Sequence, residues 1–349
     1  MRHTTRRGPE WHVLRAFRAL TASMVLFVLS GCTLILQPPS ASVDDELGRA
    51  IDLGFDGIIV HVNQAGSVES FSAGWNDRES LEPADPDSLF KIASISKLYI
   101  AAATTMLVAD GTLSLDGTLD DFLPGVSPRI ENAADLTLRM LIRHRSGIPD
   151  FIWHPDYPFE PLTDNADTYQ YFLDRPADFK PGRRYSYSNT NYFLIGEILD
   201  DVLGYSHHQY IRDEILTPLG LSNTYRLLSE ADLNDVMSGY IVGYETDFRY
   251  QEHIQPGGSM VATAGDVAVL VRALVDGTLF TPAEQAIYTS VYEYGHTGWV
   301  AGYTSIARYH SDIDAVIVQF VNTSSGQLFW LDLERVYERV VRVLERSSL

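Results

Sequence analysis

The chain has 349 residues, of which 45% are hydrophobic and 21% charged, and its formal net charge at pH 7 is -20. This composition is typical of a globular protein with a large hydrophobic core, and it excludes disorder over most of the length. The strong negative charge argues against nucleic acid as a partner, because phosphate groups would be repelled.

The N-terminal segment is typical of an export signal. Basic residues come first, an apolar run covers 19–29, and the sequence Leu29-Ser30-Gly31-Cys32 follows. This ending resembles a bacterial lipobox, so we predict a signal peptide over 1–31, lipidation of Cys32 and a lipid-anchored tether over 32–45. The protein would then be an exported, membrane-anchored lipoprotein on the periplasmic or cell-surface side. The alternatives are plain secretion and an uncleaved N-terminal membrane anchor, for which the apolar run can be extended to Leu36.

A serine and a lysine three residues apart stand at the start of an apolar run. Ser94 follows a short strand-like segment, 89–93, and apolar residues then recur at helical spacing as far as Ala109. The pattern predicts a helix that stops at Gly111, with Lys97 one turn after Ser94 on the same face. A serine hydroxyl becomes a nucleophile when a neighbouring base takes its proton, and a lysine with a lowered pKa can be that base.

A second pair has the same spacing. Ser88 and Lys91 lead into the strand-like segment rather than into a helix. On a strand, side chains three residues apart point to opposite faces. We therefore prefer Ser94 and Lys97 as the catalytic pair.

The remaining elements predict a sheet and an inserted helical region. Helical patterns separated by polar loops occur at 136–143, 168–173, 191–203 and 208–216. Helices are further predicted at 44–53, 263–274 and 328–344, and strands at 57–62, 68–74, 292–294, 298–307 and 314–321. These elements indicate an α+β fold. An antiparallel β-sheet flanked by the N- and C-terminal helices would be built from 46–117 and 256–349, and the α-rich insert 118–255 would complete one catalytic unit.

Two further motifs carry side chains suited to catalysis. Tyr187-Ser188-Asn189 precedes a predicted helix, and taken alone it is simply a loop that starts one. With positive charge nearby, Tyr187 can exist partly as phenolate and accept a proton, and Asn189 can bond both a substrate carbonyl and the lysine.

The third motif is Gly295-His296-Thr297-Gly298-Trp299, between strand-like segments. Glycine here lets a ligand approach the backbone, and a strand N–H could form an oxyanion hole with that of Ser94. His296 could bind a carboxylate or relay a proton, although a lone histidine on a strand is more often structural.

The order and spacing of the three motifs resemble those of penicillin-recognising serine hydrolases, the family of class C β-lactamases, D,D-carboxypeptidases and related esterases. Stretches at 141–148, 181–182 and 257–263 are similar to the same family, and the resemblance covers about residues 50–345. It implies the β-lactamase/transpeptidase-like fold, with the site between the sheet and the insert.

The resemblance also implies roles for individual residues. Ser94 would attack a carbonyl and form an acyl-enzyme, while Lys97 and Tyr187 share the work of the general base. Asn189 would orient the substrate amide, and His144 would be a structural loop histidine. The backbone N–H groups of Ser94 and Trp299 would form the oxyanion hole, and His296 and Thr297, followed by Gly298, would hold a substrate carboxylate.

Two features depart from the family pattern. The third motif begins with His296 where β-lactamases of this group usually have lysine, and a histidine carries less positive charge at neutral pH. The stretch from Thr281 to Gly295 is shorter than in many relatives, which have an extra strand segment there. Both features weaken the prediction of β-lactam hydrolysis.

The leading prediction is therefore a serine acyl hydrolase that acts on D-Ala-D-Ala-type peptides as a carboxypeptidase does. A β-lactamase of class C type and a small-ester esterase are the enzymatic alternatives, and a non-catalytic, membrane-tethered binding protein is the alternative of another class. The partners expected are a peptide, β-lactam or ester substrate and the membrane, through the N-terminal lipid. No cofactor is predicted. No metal site is predicted either, because no His-Glu-x-x-His motif occurs, and because the adjacent residues His207 and His208 are expected to point apart on a helix.

Overall fold

The computed structural model describes residue 38 and residues 40–347. The helices of this part are α1 Val43–Asp52, α2 Ser96–Ala109, α3 Leu119–Phe122, α4 Leu138–Ile142, α5 Asn189–Leu203, α6 His207–Ile211, α7 Thr217–Leu219, α8 Ala264–Asp276, α9 Pro282–Val291 and α10 Gln327–Ser347. The strands are β1 Gly57–Gln64, β2 Ser67–Asp77, β3 Glu82–Pro83, β4 Phe90–Lys91, β5 Thr224–Tyr225, β6 Tyr240–Ile241, β7 Val261–Ala262, β8 Gly295–Val300, β9 Tyr303–His310, β10 Ala315–Val321 and β11 Thr323–Ser324. Short 3₁₀ turns and one π-helical turn connect several of these elements.

A six-stranded antiparallel sheet forms the centre of the fold. Its strand order is β3-β2-β1-β10-β9-β8, so the N-terminal hairpin pairs with the C-terminal strands through β1 and β10. Alternate residues of β1 enter different clusters of the core: Ile58 and Val60 pack with α1 and α10, whereas Ile59 packs with the cluster that includes α2 and α8. The predicted α+β fold with flanking terminal helices is confirmed.

A buried ion pair joins the two terminal helices. The guanidinium of Arg339 on α10 donates to both carboxylate oxygens of Glu46 on α1, at 2.8 and 3.1 Å. Burial opposes ionisation of Glu46, but the hydrogen bonds and charge of Arg339 hold the pKa of this carboxyl below its usual value. The two helices therefore close one face of the sheet as a unit.

Helix α2 is buried on nearly every side, and Ser94 lies in the turn immediately before it. Eleven of its fourteen residues are buried, so the helix is apolar all round rather than amphipathic. A second, three-stranded sheet of β4, β7 and β5 holds the chain just before α2, through the pairs of Phe90 with Ala262 and Lys91 with Val261. The start of α2 is thus fixed from two directions.

The structure corrects three predictions for the C-terminal half. Residues 292–294 are not a strand, and the helix α9 precedes them instead. The run 298–307 is not one strand, because a turn at Gly302 with a φ of 83° divides it into β8 and β9. Helix α9 was missed although its start carries a capping box, in which Thr281 and Glu284 satisfy each other's backbone N–H groups.

The division into 46–117, 118–255 and 256–349 stays a prediction. Cys32 and the signal peptide 1–31, like most of the tether, lie outside the described residues. Among the residues that are described, no helix has the length and apolar character needed to cross a membrane.

Candidate active site

Ser94 lies at the middle of a 3₁₀ turn, Ala93–Ile95, immediately before α2. Ala93 has a φ of 50°, a left-handed conformation that is unusual for a residue with a side chain. The backbone N–H of Ile92 donates to the carbonyl oxygen of Met260 at 3.1 Å, which anchors the chain before the turn. This turn, rather than a regular first turn of the helix, presents the Ser94 hydroxyl.

Lys97 is 1% exposed and its Nζ atom has three oxygen neighbours. They are the Oγ of Ser94 at 2.9 Å, the Oδ1 of Asn189 at 3.0 Å and the carbonyl oxygen of Gly257 at 2.8 Å. Burial lowers the pKa of Lys97 to about 7, against the opposing charge of Asp150. A substantial share of Lys97 is therefore a neutral amine at neutral pH, which is the form that can accept a proton.

Tyr187 is the second side chain that contacts the Ser94 hydroxyl. Its phenolic O–H donates to Ser94 Oγ at 2.9 Å, and its ring stacks on His144 with centroids 4.3 Å apart. Burial raises the pKa of Tyr187 well above its ordinary value, although its hydrogen bond with Ser94 opposes this. The partial phenolate expected from the sequence is therefore disfavoured, and Tyr187 is a hydrogen-bond donor.

Asn189, the first residue of α5, connects Lys97 to a carboxylate that the sequence had not suggested. Its Oδ1 accepts from Lys97, and its Nδ2 donates to Oδ2 of Asp150 at 3.0 Å. Asp150 is buried, and burial raises the pKa of its carboxyl. This carboxylate fixes which way the Asn189 amide faces, so that the oxygen and not the nitrogen points to the lysine.

His144 is buried and supports the loop that carries Tyr187. It adopts a left-handed φ of 51°, and its Nδ1 accepts the backbone N–H of Ser188 at 3.2 Å. Burial lowers the pKa of His144 to about 3, and the positive charge of Lys97 acts in the same direction. A neutral, packed imidazole agrees with the structural role expected for this residue.

The third motif lies on β8, the edge strand of the central sheet. In an antiparallel ladder, opposite residues alternate between hydrogen-bonded and non-hydrogen-bonded pairs. The N–H of Tyr309 donates to the carbonyl of Tyr294, immediately before β8. The pairs that contain His296 and Gly298 are therefore hydrogen-bonded to β9. The backbone N–H and C=O groups of Thr297 and Trp299 therefore point to the free edge of the sheet.

Gly298 places this edge beside the nucleophile. A Cβ added at Gly298 would lie 2.4 Å from the carbonyl oxygen of Ile92 and 3.3 Å from the Cβ of Ala93. Only glycine allows β8 to pack this closely against the turn of Ser94. The arrangement leaves the N–H groups of Ser94 and Trp299 as candidates for an oxyanion hole.

A cavity of about 850 Å³ opens beside these side chains. Tyr187, His296 and Thr297 line it, together with Arg143 and Arg145 among others. Burial and the charge of Lys97 lower the pKa of His296 to about 3, so this imidazole is neutral. The structure thus brings together the candidate residues of all three motifs.

The second serine–lysine pair forms no such site. Lys91 donates from Nζ to the carbonyl oxygen of Phe248 at 2.6 Å, whereas Ser88 donates to Oδ1 of Asn76 at 2.9 Å. No group of three or more metal-binding side chains occurs within the described part of the chain. The expectation that His207 and His208 point apart is wrong, since their ring centroids lie 4.1 Å from each other.

Comparison with known proteins identifies a family and several relatives. The family model described as Beta-lactamase matches residues 40–291. Penicillin-binding protein 4* of Bacillus subtilis is 25% identical over 206 residues, which cover 58% of this chain and 44% of that protein. A putative D-alanyl-D-alanine carboxypeptidase of Escherichia coli K12 is 22% identical over 279 residues, which cover 67% of this chain and 63% of that protein.

A solved structure shares the fold over almost its whole length. D-amino acid amidase from Ochrobactrum anthropi SV3, complexed with L-phenylalanine amide, superposes with a TM-score of 0.77 at 24% identity, covering 87% of this chain and 98% of the amidase. The chain belongs to the β-lactamase family, the family of serine hydrolases that its motifs resemble. It spans less than two thirds of the length of the two curated relatives described above.

Proposed function

We propose that this protein is a serine acyl hydrolase that forms an acyl-enzyme at Ser94. One observation carries the proposal: Ser94 Oγ lies 2.9 Å from both Lys97 Nζ and the Tyr187 hydroxyl. A neutral amine has two N–H donors and one lone pair. The carbonyl of Gly257 and the Oδ1 of Asn189 can only accept, so they take the two N–H groups and the lone pair faces Ser94.

The chemistry follows from this distribution of protons. As the Ser94 Oγ bonds to the substrate carbonyl carbon, the hydroxyl proton moves to Lys97, and the carbonyl electrons form an oxyanion. The N–H groups of Ser94 and Trp299 stabilise that oxyanion. The bond to the leaving group then breaks as the leaving atom takes the proton held by Lys97, either directly or through Tyr187, and Lys97 is neutral again. A water oxygen then bonds to the acyl carbon as one of its protons moves to Lys97, and the bond to Ser94 Oγ breaks as that oxygen takes the proton back from Lys97.

The substrate class that we propose is a peptide ending in D-Ala-D-Ala, cleaved as a carboxypeptidase does. The names of two relatives, a penicillin-binding protein and a putative D-alanyl-D-alanine carboxypeptidase, support this class. The cavity of about 850 Å³ beside Tyr187 has room for a peptide of this size. A β-lactamase would use the same nucleophile, and it differs in releasing the acyl group rapidly.

A second candidate, an amidase or small-ester esterase, is favoured by one observation. His296 is neutral, and its Nδ1 bonds the carbonyl oxygen of Thr297, so the third motif offers no positive charge to a substrate carboxylate. A substrate without a carboxylate needs none. A non-catalytic binding protein is the least supported candidate, because it would not require a lysine whose pKa is lowered beside a serine.

Intact-protein mass spectrometry with a fluorescent penicillin tests the proposal, with the Ser94→Ala variant as the control. A stable adduct on Ser94 that is absent from the variant supports a slowly deacylating peptidase. Rapid loss of the drug without an adduct indicates a β-lactamase. An intact drug without an adduct excludes both, and hydrolysis of p-nitrophenyl esters then separates the esterase from the binding protein.

We further propose that the protein is exported and anchored through a lipid on Cys32, facing a periplasm or the cell surface. The Leu29-Ser30-Gly31-Cys32 sequence after an apolar run supports this location. Mass spectrometry of the mature protein tests it. A lipid-modified cysteine at the N-terminus is expected, and an unmodified Cys32 that follows residues 1–31 contradicts it.

A further inference from the structure

The third motif supplies no cation. Nδ1 of His296 bonds the carbonyl oxygen of Thr297, and because a carbonyl can only accept, Nδ1 carries the proton of the neutral ring. Nε2 is then an acceptor with a lone pair. A carboxylate is not attracted to such a group, so a carboxylate-bearing substrate needs positive charge from elsewhere in the cavity.

Two arginine side chains line the cavity beside His296. Arg143 and Arg145 flank His144, and both line the same cavity as Tyr187 and His296. Arg143 is exposed and Arg145 is half-buried, and neither guanidinium has a hydrogen-bond or ion-pair partner among the described residues.

The other charged residues that line the cavity are differently placed. Arg308 donates to both carboxylate oxygens of Glu334, at 2.8 and 2.7 Å, and is therefore already paired. Glu293 also lines the cavity, is exposed, and offsets part of the positive charge. Arg143 and Arg145 remain as the two guanidinium groups that are free to bind an anion.

A neighbouring loop extends this positive region. The backbone N–H of Gly182 donates to the carbonyl of Arg145 at 2.8 Å, and that of Ser186 donates to the carbonyl of His144 at 2.9 Å. The two paired segments, 143–147 and 178–186, contain five Arg and Lys residues and one acidic residue, Asp178, in a chain whose net charge is -20. A local positive field on an acidic protein concentrates anions at that place.

Resting on the proposed function, we propose that Arg143 and Arg145 supply the positive charge of the subsite for the terminal carboxylate of the peptide substrate, which His296 does not supply. A guanidinium binds a carboxylate through two parallel N–H···O bonds, which gives orientation as well as attraction. The substrates are therefore peptides with a free carboxylate beyond the scissile bond, and not their amides.

Binding to the Ser94→Ala protein tests this subsite without turnover. Isothermal titration calorimetry compares an N-acylated D-Ala-D-Ala peptide with the same peptide as its C-terminal amide. We expect the acid to bind more tightly than the amide, by roughly 10- to 100-fold, as is typical of hydrogen bonds to charged groups. Adding Arg143→Gln and Arg145→Gln should remove most of this preference, and added salt should reduce it.

The matched control also removes two positive charges. Arg129 and Arg212 are exposed and each is paired with one aspartate, at Asp174 and Asp213. Arg129→Gln with Arg212→Gln, again with Ser94→Ala, should leave the preference for the acid unchanged.

Three results overturn the subsite: equal affinity for acid and amide, no binding of either, or a preference that survives loss of both cavity arginines. Hydrolysis by the unmodified protein is measured separately. An intact acid-over-amide preference without hydrolysis contradicts the proposed function but not the subsite.

Discussion

The carboxylate of Asp150 accepts a 3.0 Å hydrogen bond from the side-chain nitrogen of Asn189, and the oxygen of the same amide accepts from Lys97. The negative charge of Asp150 raises the pKa of Lys97, against the larger effect of burial. Asp150 is thus a positioning residue, which acts on Ser94 through two other side chains.

The pH profile of kcat/KM should report this relationship. Because burial lowers the pKa of Lys97 to about 7, kcat/KM should fall as the pH drops below about 7 and the lysine becomes protonated. Asp150→Asn removes the charge that favours the ammonium form, so the acidic limb should move to lower pH. An acidic limb that stays in place, or that moves to higher pH, would show that Asp150 does not act on Lys97 electrostatically.

Replacing Lys97 should stop acylation, and a second buried lysine provides the control. Lys97→Met removes the proposed base, and the rate of Ser94 acylation by a penicillin should fall by roughly 100- to 10,000-fold. Lys91, 4% exposed, also has a pKa lowered to about 7 by burial, but it bonds backbone carbonyls outside the site. Lys91→Met should therefore leave acylation intact and lower the free energy of unfolding by about 1–3 kcal/mol per carbonyl left without a donor. Equal acylation rates in the two variants would exclude Lys97 as the base.

Tyr187→Phe separates the two candidate bases. The rings of Tyr187 and His144 stack with their centroids 4.3 Å apart, and a phenylalanine ring can keep this contact. The variant lacks only the hydroxyl that donates to Ser94. We expect kcat/KM to fall by roughly 100-fold, within the usual range for one acid–base group. The acidic limb near pH 7 should persist, since it belongs to Lys97. Its disappearance in the variant would assign that limb to Tyr187.

Gly298→Ala should separate the edge strand from the nucleophile. The added Cβ would lie 2.3 Å from Ser305 Oγ and 2.4 Å from the carbonyl oxygen of Ile92, so β8 must shift. We expect loss of acylation together with a lower melting temperature. Gly48→Ala in α1 is the control, because nothing lies within 4 Å of its Cβ, and it should stabilise the fold by about 0.5–1 kcal/mol. Normal acylation by Gly298→Ala would show that the tight packing at this position is not needed.

Local sequence patterns were sufficient to predict much of the fold, and the resemblance to a known family joined the three motifs into one candidate site. The helix after Ser94, the first hairpin and the terminal helices follow from short-range periodicity and from capping residues. The strand predicted at 298–307 failed because its apolar periodicity continues through the turn at Gly302, and only the fold reveals the break. The start of helix α9 has a capping box, Thr281 with Glu284, which is recognisable in the sequence.

Asp150 and the cavity arginines could not be assigned from the sequence. Asp150 and Asn189 are 39 residues apart, and no local pattern indicates that their side chains meet. The protonation of Tyr187 was misjudged for a similar reason. The sequence shows nearby arginines, but burial has the larger effect on the pKa of the phenol, and burial is a property of the folded chain.

The left-handed backbone of Ala93 has a consequence for engineering this protein. A φ of 50° costs a residue with a side chain roughly 1–2 kcal/mol relative to a conformation it prefers, and glycine would avoid this cost. Yet the Cβ of Ala93 lies 3.3 Å from the position that a Cβ at Gly298 would take, so glycine at position 93 would remove the side chain that packs against the edge strand. Selection for heat resistance alone should therefore favour glycine at position 93. The resulting protein should be more stable, but it should acylate the neighbouring Ser94 more slowly.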